Sequence, residues 1–197
     1  MTKTEGIENH NVRLMPFAAA VAVTALMSLL LWSQGRIWWC KQGDWAIYIN
    51  AAWGSTHTSQ HLLDPYVFTH ILHGVAFFWI ISLLLPKLGN EWRFLIATVA
   101  EAGWEILENS NFIIEKYRAN TASFDYFGDS IVNSIADVAA CGVGFWIAVK
   151  LGWWRSLAFF VLVEVFLILW IRDSLLINIL MLIYPLDAIK HWQMGMG

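Results

Sequence analysis

The chain predicts an all-α fold: a polytopic membrane bundle of five transmembrane helices followed by a C-terminal re-entrant or interfacial helix. Three observations carry this reading. The composition is 58% hydrophobic and only 14% charged, against about 25% charged in a soluble domain. Thirteen tryptophans suit aromatic belts at both membrane interfaces. Five apolar runs are separated by polar connections, and each is long enough or nearly long enough to cross a hydrocarbon core of about 30 Å.

The elements follow in order. Residues 1–13 are polar. The first span covers about 14–32, with Pro16 in its first turn, where a missing N–H does no harm. A cleaved signal peptide is the competing reading. The long apolar run and the poor cleavage site Trp32-Ser33-Gln34-Gly35 favour an uncleaved anchor. Residues 35–66 form the longest polar connection, with Asp44, His57, His61 and Asp64. Its tryptophans Trp38, Trp39, Trp45 and Trp53 place it on the interface. The second span, about 67–85, is stopped by Pro86. The third covers about 92–114. The fourth, about 129–149, opens on a Gly-Asp-Ser cap signal, and the fifth covers about 156–171. The last apolar run, within 174–192, is interrupted by Pro185 and is short for a crossing. The whole of 1–197 reads as one integral-membrane domain. Cys40 falls in a connection and Cys141 deep in a span, so no disulfide framework is expected.

The positive-inside rule gives a balance. Lys3, Arg13, Lys87, Arg93, Lys150 and Arg155 fall on one side, and Arg36, Lys41, Lys116, Arg118, Arg172 and Lys190 on the other. The short basic loops at Lys87–Arg93 and Lys150–Arg155 favour a cytoplasmic N-terminus. A net charge of -3 excludes a nucleic-acid partner as the expected one; the expected partner is the lipid bilayer.

Function is sought in the ionisable residues inside these runs. A charge at a helix centre costs roughly 2.5–3.5 kcal/mol on insertion scales, so each one marks a site by default. Glu101, Glu105 and Glu108 are spaced i, i+4, i+7. Asp129, Asn133 and Asp137 are spaced i, i+4, i+8, and His70 and His73 are one turn apart. Each set occupies one helical face. Connectivity also puts His70, His73, Glu105, Glu108, Asp129, Asp137 and Arg172 in one leaflet, because even-numbered spans start where odd-numbered ones end.

Two carboxylates about 6 Å apart repel by about 3 kcal/mol at an effective dielectric near 20. Neutralisation is therefore required, by protonation, by Arg172, by a protonated histidine or by a metal. Simpler readings stand beside these: satisfied core histidines, Asp129 as a helix cap, Glu101 as a protonated packing residue, Arg172 with Asp173 as an interface anchor, and Glu164 as a neutral buried acid.

The segments THILHG (69–74), EAGWEILEN (101–109), YRANTASFDYFGDSIVNSIAD (117–137) and WIRDSLLINILMLIYPLDAIKHWQ (170–193) resemble a family of uncharacterised inner-membrane proteins, mainly of alphaproteobacteria, known only as a domain of unknown function. The resemblance covers roughly residues 64–193. It implies a multi-pass protein of the bacterial inner membrane and supplies no activity.

From the residues, the leading expectation is a membrane-embedded hydrolase or transferase acting on a lipid or lipid-linked substrate at the outer leaflet. His70, His73, Glu105, Glu108, Asp129 and Asp137 would be its catalytic groups, and Arg172, Asn109 and Asn133 would bind substrate. In one version His70, His73, Glu105 and Glu108 hold a divalent Zn, Mn or Fe ion. In the other, a carboxylate and a histidine share acid–base work without metal. The alternative is a non-enzymatic membrane component, a small proton-linked transporter or an assembly factor, using the same cluster as relay or clamp. A haem- or quinone-binding role is a weaker third option, since His70 and His73, one turn apart, cannot be opposite axial ligands.

Overall fold

The structure, a computed structural model, describes residues 3–52 and 54–195, with side chains from residue 14 onward; Trp53 lies outside the described residues. Seven helices and no strands are found among them: α1 (Lys3–Ser33), α2 (Val67–Leu84), α3 (Asn90–Glu108), α4 (Asn111–Asn120), α5 (Ile131–Ile171), α6 (Leu175–Ile183) and α7 (Asp187–Gln193). Among the described residues, three stretches are long and apolar enough to cross a membrane: Leu14–Ser33, Val67–Leu84 and Ile131–Ile171. This corrects the expected five. Large apolar side chains stand outward on these stretches, Val21, Leu83, Leu162 and Leu169 being 69–79% exposed. Water would penalise that surface and lipid would not.

The differences from five spans have identifiable causes. The expected third span, 92–114, is two helices. Glu91, Arg93, Glu101, Glu105 and Glu108 lower its apolar content, and the chain breaks at Asn109, where Ser110 caps α4 by accepting from the Ile113 N–H. The expected fourth and fifth spans are joined in α5, whose backbone leaves helical geometry at Gly152 (φ 71°). Phe78 of α2 touches both Phe145 and Trp153, Trp79 hydrogen-bonds Ser156, and Phe68 at the start of α2 meets Phe166 and Trp170. The chain therefore doubles back at Gly152, and both limbs of α5 pack on α2. The expected helix over 174–192 is two short ones, α6 and α7, separated near Pro185. Nine residues of α6 span only about 14 Å, shorter than a hydrocarbon core of about 30 Å. Helix α1 begins earlier than expected, which moves Pro16 to its interior.

Helices α2 and α5 cross at backbone contact. A Cβ at Gly74 would collide with the Cys141 carbonyl, and one at Gly144 with the Ile71 carbonyl. Around the crossing lies the main apolar cluster, with Leu72, Val75, Phe145, Ala148 and Phe160. Helix α1 packs on α3 through Met27, Leu31 and Ala102.

The long 35–66 connection closes the end of the bundle. The carbonyls of Ile37 and Trp38 accept from the N–H groups of Ile131 and Val132, and the Ser59 carbonyl accepts from Ser130. These are donors at the start of α5 that have no partner inside their own helix. Asn133 donates to the His61 carbonyl at 2.9 Å, and Gln60 to the Gly128 carbonyl at 2.7 Å.

Candidate functional site

One cavity of about 60 Å³ lies between α2, α3, α5 and α6, with room for a few waters or a small ionic group. His70, His73, Glu108, Asp129 and Asp137 line it. Helices α2, α3 and α5 deliver His70 and His73, Glu108 and Asp137, the segment just before α5 delivers Asp129, and the α2–α5 crossing holds His70 and Asp137 on facing helices.

Glu101 is the hub. Fully buried, it accepts from His70 Nδ1 at 2.6 Å through Oε1, and from His73 Nδ1 at 3.1 and 3.0 Å through Oε1 and Oε2. His70 Nδ1 also lies 3.5 Å from Glu105, and its Nε2 lies 3.8 Å from Asp137. Sequence reasoning placed Glu101 on the right face but outside the site set, since depth alone suggests packing. Its i, i+4 relation to Glu105 was the available signal.

Several oxygens around His70 have no hydrogen-bond partner among the described residues: both of Glu105, Oε2 of Glu108 and Oδ1 of Asp137. Native structures leave few buried polar atoms unpaired. The two sets His70, His73, Glu101 and His70, Glu105, Glu108 each offer three donor atoms mutually within 4.8 Å. Both suit a divalent cation in donor type.

The other expected residues have different placements. Asp129 is clasped: Asn109 donates to its Oδ2 at 2.8 Å, Tyr126 donates to its Oδ1 at 3.0 Å, and its own N–H donates to Asn109 Oδ1 at 2.7 Å. Asn109 therefore orients Asp129, and Asn133 anchors the 35–66 connection. The cap of α5 is Ser130, which accepts from Asn133 N–H, rather than Asp129. Arg172 is exposed, is not among the residues lining the cavity, and gives a guanidinium N–H to the Trp192 carbonyl at 3.1 Å. Glu164 accepts from the Leu176 N–H in the first turn of α6.

Outside the helices of this centre, burial pushes two carboxyls up to about 7, from 3.8. Asp64 is raised by burial and by Asp129, against hydrogen bonds from Tyr66 and Ser59. Asp173 is raised by burial and by Glu164, against hydrogen bonds from Ser174 and Tyr66. A raised carboxyl holds its proton more tightly folded than unfolded, so folding takes up protons between 3.8 and about 7. These groups therefore make stability fall as pH rises through that window. Melting temperature in detergent, measured across it, is expected to show a shallower fall for Asp173→Asn than for the wild type. An unchanged fall would mean that Asp173 is ionised in the fold.

Fold and site together define a class: an all-helical protein with membrane-type apolar helices around an interior histidine–carboxylate centre. The chain belongs to the family described as "Protein of unknown function (DUF2585)", whose profile matches residues 31–195. It is 44% identical over 176 residues to a UPF0314 protein of Brucella anthropi, covering 89% of each chain. It is 41% identical over 181 residues to one of Paracoccus denitrificans, covering 92% of this chain and 93% of the relative. A UPF0314 protein of Agrobacterium fabrum is 36% identical over 193 residues, covering 98% and 97%. The resemblance seen in the four sequence segments is thus to the right family, and that family carries no established activity. No solved structure matches the chain.

Proposed function

We propose that this protein is a bacterial inner-membrane hydrolase or transferase acting on a lipid or lipid-linked substrate, with its N-terminus cytoplasmic and its cavity toward the outer leaflet. The doubling back of α5 at Gly152 supports more than one crossing by that element. The observation that carries the functional reading is the set of buried carboxylate oxygens of Glu105, Glu108 and Asp137 that have no hydrogen-bond partner among the described residues, with Glu105 and Asp137 within ion-pair distance of His70. A finished structural clamp would use those oxygens; a working centre leaves them for substrate, metal or water.

The roles follow from the contacts. Glu101 holds the Nδ1 atoms of His70 and His73, which fixes the rings; a His73 ring that enters the reaction protonated on both nitrogens gives its Nε2 proton to the leaving group, and the proton taken from the attacking water or hydroxyl restores the balance. Glu108, with Oε2 free, is placed to take a proton from an attacking water or hydroxyl. Among the described residues, no lysine or arginine lines the cavity. An anionic head group therefore needs another source of positive charge. In place of those Nδ1–H bonds, His70, His73 and Glu101 would hold a divalent cation, which would supply that charge and Lewis-acid polarisation of a phosphoryl or acyl oxygen. With a neutral ester or glycosidic bond, the metal-free acid–base version suffices.

One observation favours the non-enzymatic alternative: Glu101 is already satisfied by two histidines, as a clamp would be. Lipid extracts of a deletion strain decide between the two. A substrate lipid is expected to accumulate, and to be cleared by the wild-type gene but not by a Glu108→Gln gene. Identical lipid profiles in all three strains would remove the enzymatic reading.

A further inference from the structure

A second cluster of ligating side chains lies in the 35–66 connection, away from the histidine–carboxylate centre. Cys40 Sγ is 3.4 Å from His57 Nδ1, and His57 Nδ1 is 3.2 Å from His61 Nε2. All three donor atoms lie within 4.8 Å of one another. We infer that Cys40, His57 and His61 form a zinc site that fastens this connection over the end of the bundle. The inference is independent of the function proposed above.

Three features support it. The first is spacing. Tetrahedral zinc, with bonds of about 2.0–2.1 Å to nitrogen and about 2.3 Å to sulfur, separates neighbouring donors by roughly 3.3–3.6 Å. The two close separations here lie within about 0.2 Å of that range.

The second is the His61 tautomer. His61 Nδ1 lies 2.6 Å from the Ala46 carbonyl, which can only accept, so Nδ1 carries the proton. In the tautomer with its proton on Nδ1, Nε2 offers its lone pair toward the other two donors. A backbone carbonyl on the far nitrogen is the usual orienting partner of a metal-bound histidine.

The third is shelter. His61 is fully buried and Cys40 is 7% exposed. Trp39 meets the His61 ring edge-on and stacks on Trp45. One thiolate and two imidazoles form a borderline-soft set that suits zinc better than calcium or magnesium.

The consequence for the fold is specific. The carbonyl of His61 accepts from Asn133, and neighbouring Thr58 and Ser59 line the main cavity. Zinc held here ties the cavity's covering segment to the start of α5. Cys40 and Cys141 are both free thiols, and Cys141 lies near Glu101. A test must therefore tell the two cysteines apart.

The experiment is cobalt(II) titration of the purified full chain in detergent, read by the thiolate-to-cobalt charge-transfer band. The wild type and Cys141→Ser are expected to develop the band to one equivalent. Cys40→Ser and His57→Ala are expected to lose it, and Cys40→Ser to retain one zinc fewer per chain than the wild type. Because Cys40 is the sole thiol in Cys141→Ser, a band there assigns the ligand even if Cys40→Ser fails to accumulate. No band in the wild type, a band lost in Cys141→Ser, or a band surviving in Cys40→Ser overturns the assignment. In the first case the three residues are a hydrogen-bonded triad and nothing more.

Discussion

Gly144→Ala is expected to lower stability by about 3 kcal/mol or more, and Gly144→Val to prevent accumulation altogether. A methyl group at this position meets the Ile71 carbonyl, and one at Gly74 meets the Cys141 carbonyl and the Phe145 nitrogen. These are backbone atoms of packed helices, so relief requires the helices to separate. Separation would uncover Leu72, Val75 and Phe145, each with no exposed surface. Against a total stability of roughly 5–15 kcal/mol, such a loss is decisive. The crossing also sets the site, because His70 adjoins Ile71 and Asp137 lies one turn before Cys141. Gly103→Ala is the control: nothing lies near a Cβ at that position, and helix propensity alone favours alanine by roughly 0.5–1 kcal/mol. Thermal unfolding in detergent and abundance in membranes measure both. Wild-type melting of Gly144→Ala would show that α2 and α5 do not approach this closely.

Glu108→Gln and His73→Ala are each expected to fold and insert normally and yet fail to complement a deletion strain. Glutamine keeps the size of Glu108 and an oxygen for its contact with Tyr117, while removing the charge and the proton chemistry. Glu108 Oε2 has no partner to lose. His73→Ala leaves Glu101 still bonded to His70. A working centre gathers like charges at a cost in stability, so removing one leaves melting unchanged or raised while function disappears. A clamp behaves in the opposite way, because loss of one partner strands a buried charge. Melting temperature set beside complementation separates the cases. Unfolding of both variants would transfer the centre to a structural role, and full complementation by both would remove these residues from any site.

Part of this molecule was readable without coordinates. The faces carrying His70 with His73 and the three glutamates follow from helical spacing, since period and hydropathy are local properties of a sequence, whereas Asp129 precedes α5 and reaches the cavity through the path of the chain. The count of crossings was less readable. An apolar run announces a helix, but whether 129–149 and 156–171 are separate spans or one folded element depends on the backbone at Gly152. The break between α3 and α4 depends on the bonds Asn109 makes with Asp129, twenty residues on. Arg172, beside Asp173 in the sequence, points to Trp192 rather than the cavity, because the αL turn at its position (φ 53°) redirects the chain.

The sequence by itself determined the all-helical, membrane-type class, the family and the faces on which ionisable groups lie. Each rests on local pattern: hydropathy, period and motif. Tertiary structure alone decided that Glu101 joins the two histidines, that Asn109 and Asn133 hold backbone and carboxylate, and that Cys40, His57 and His61 meet. Those contacts join segments up to 72 residues apart. In the 35–66 connection no helical or strand period relates one side chain to another, so only the folded path of the chain brings a thiol and two imidazoles to one point.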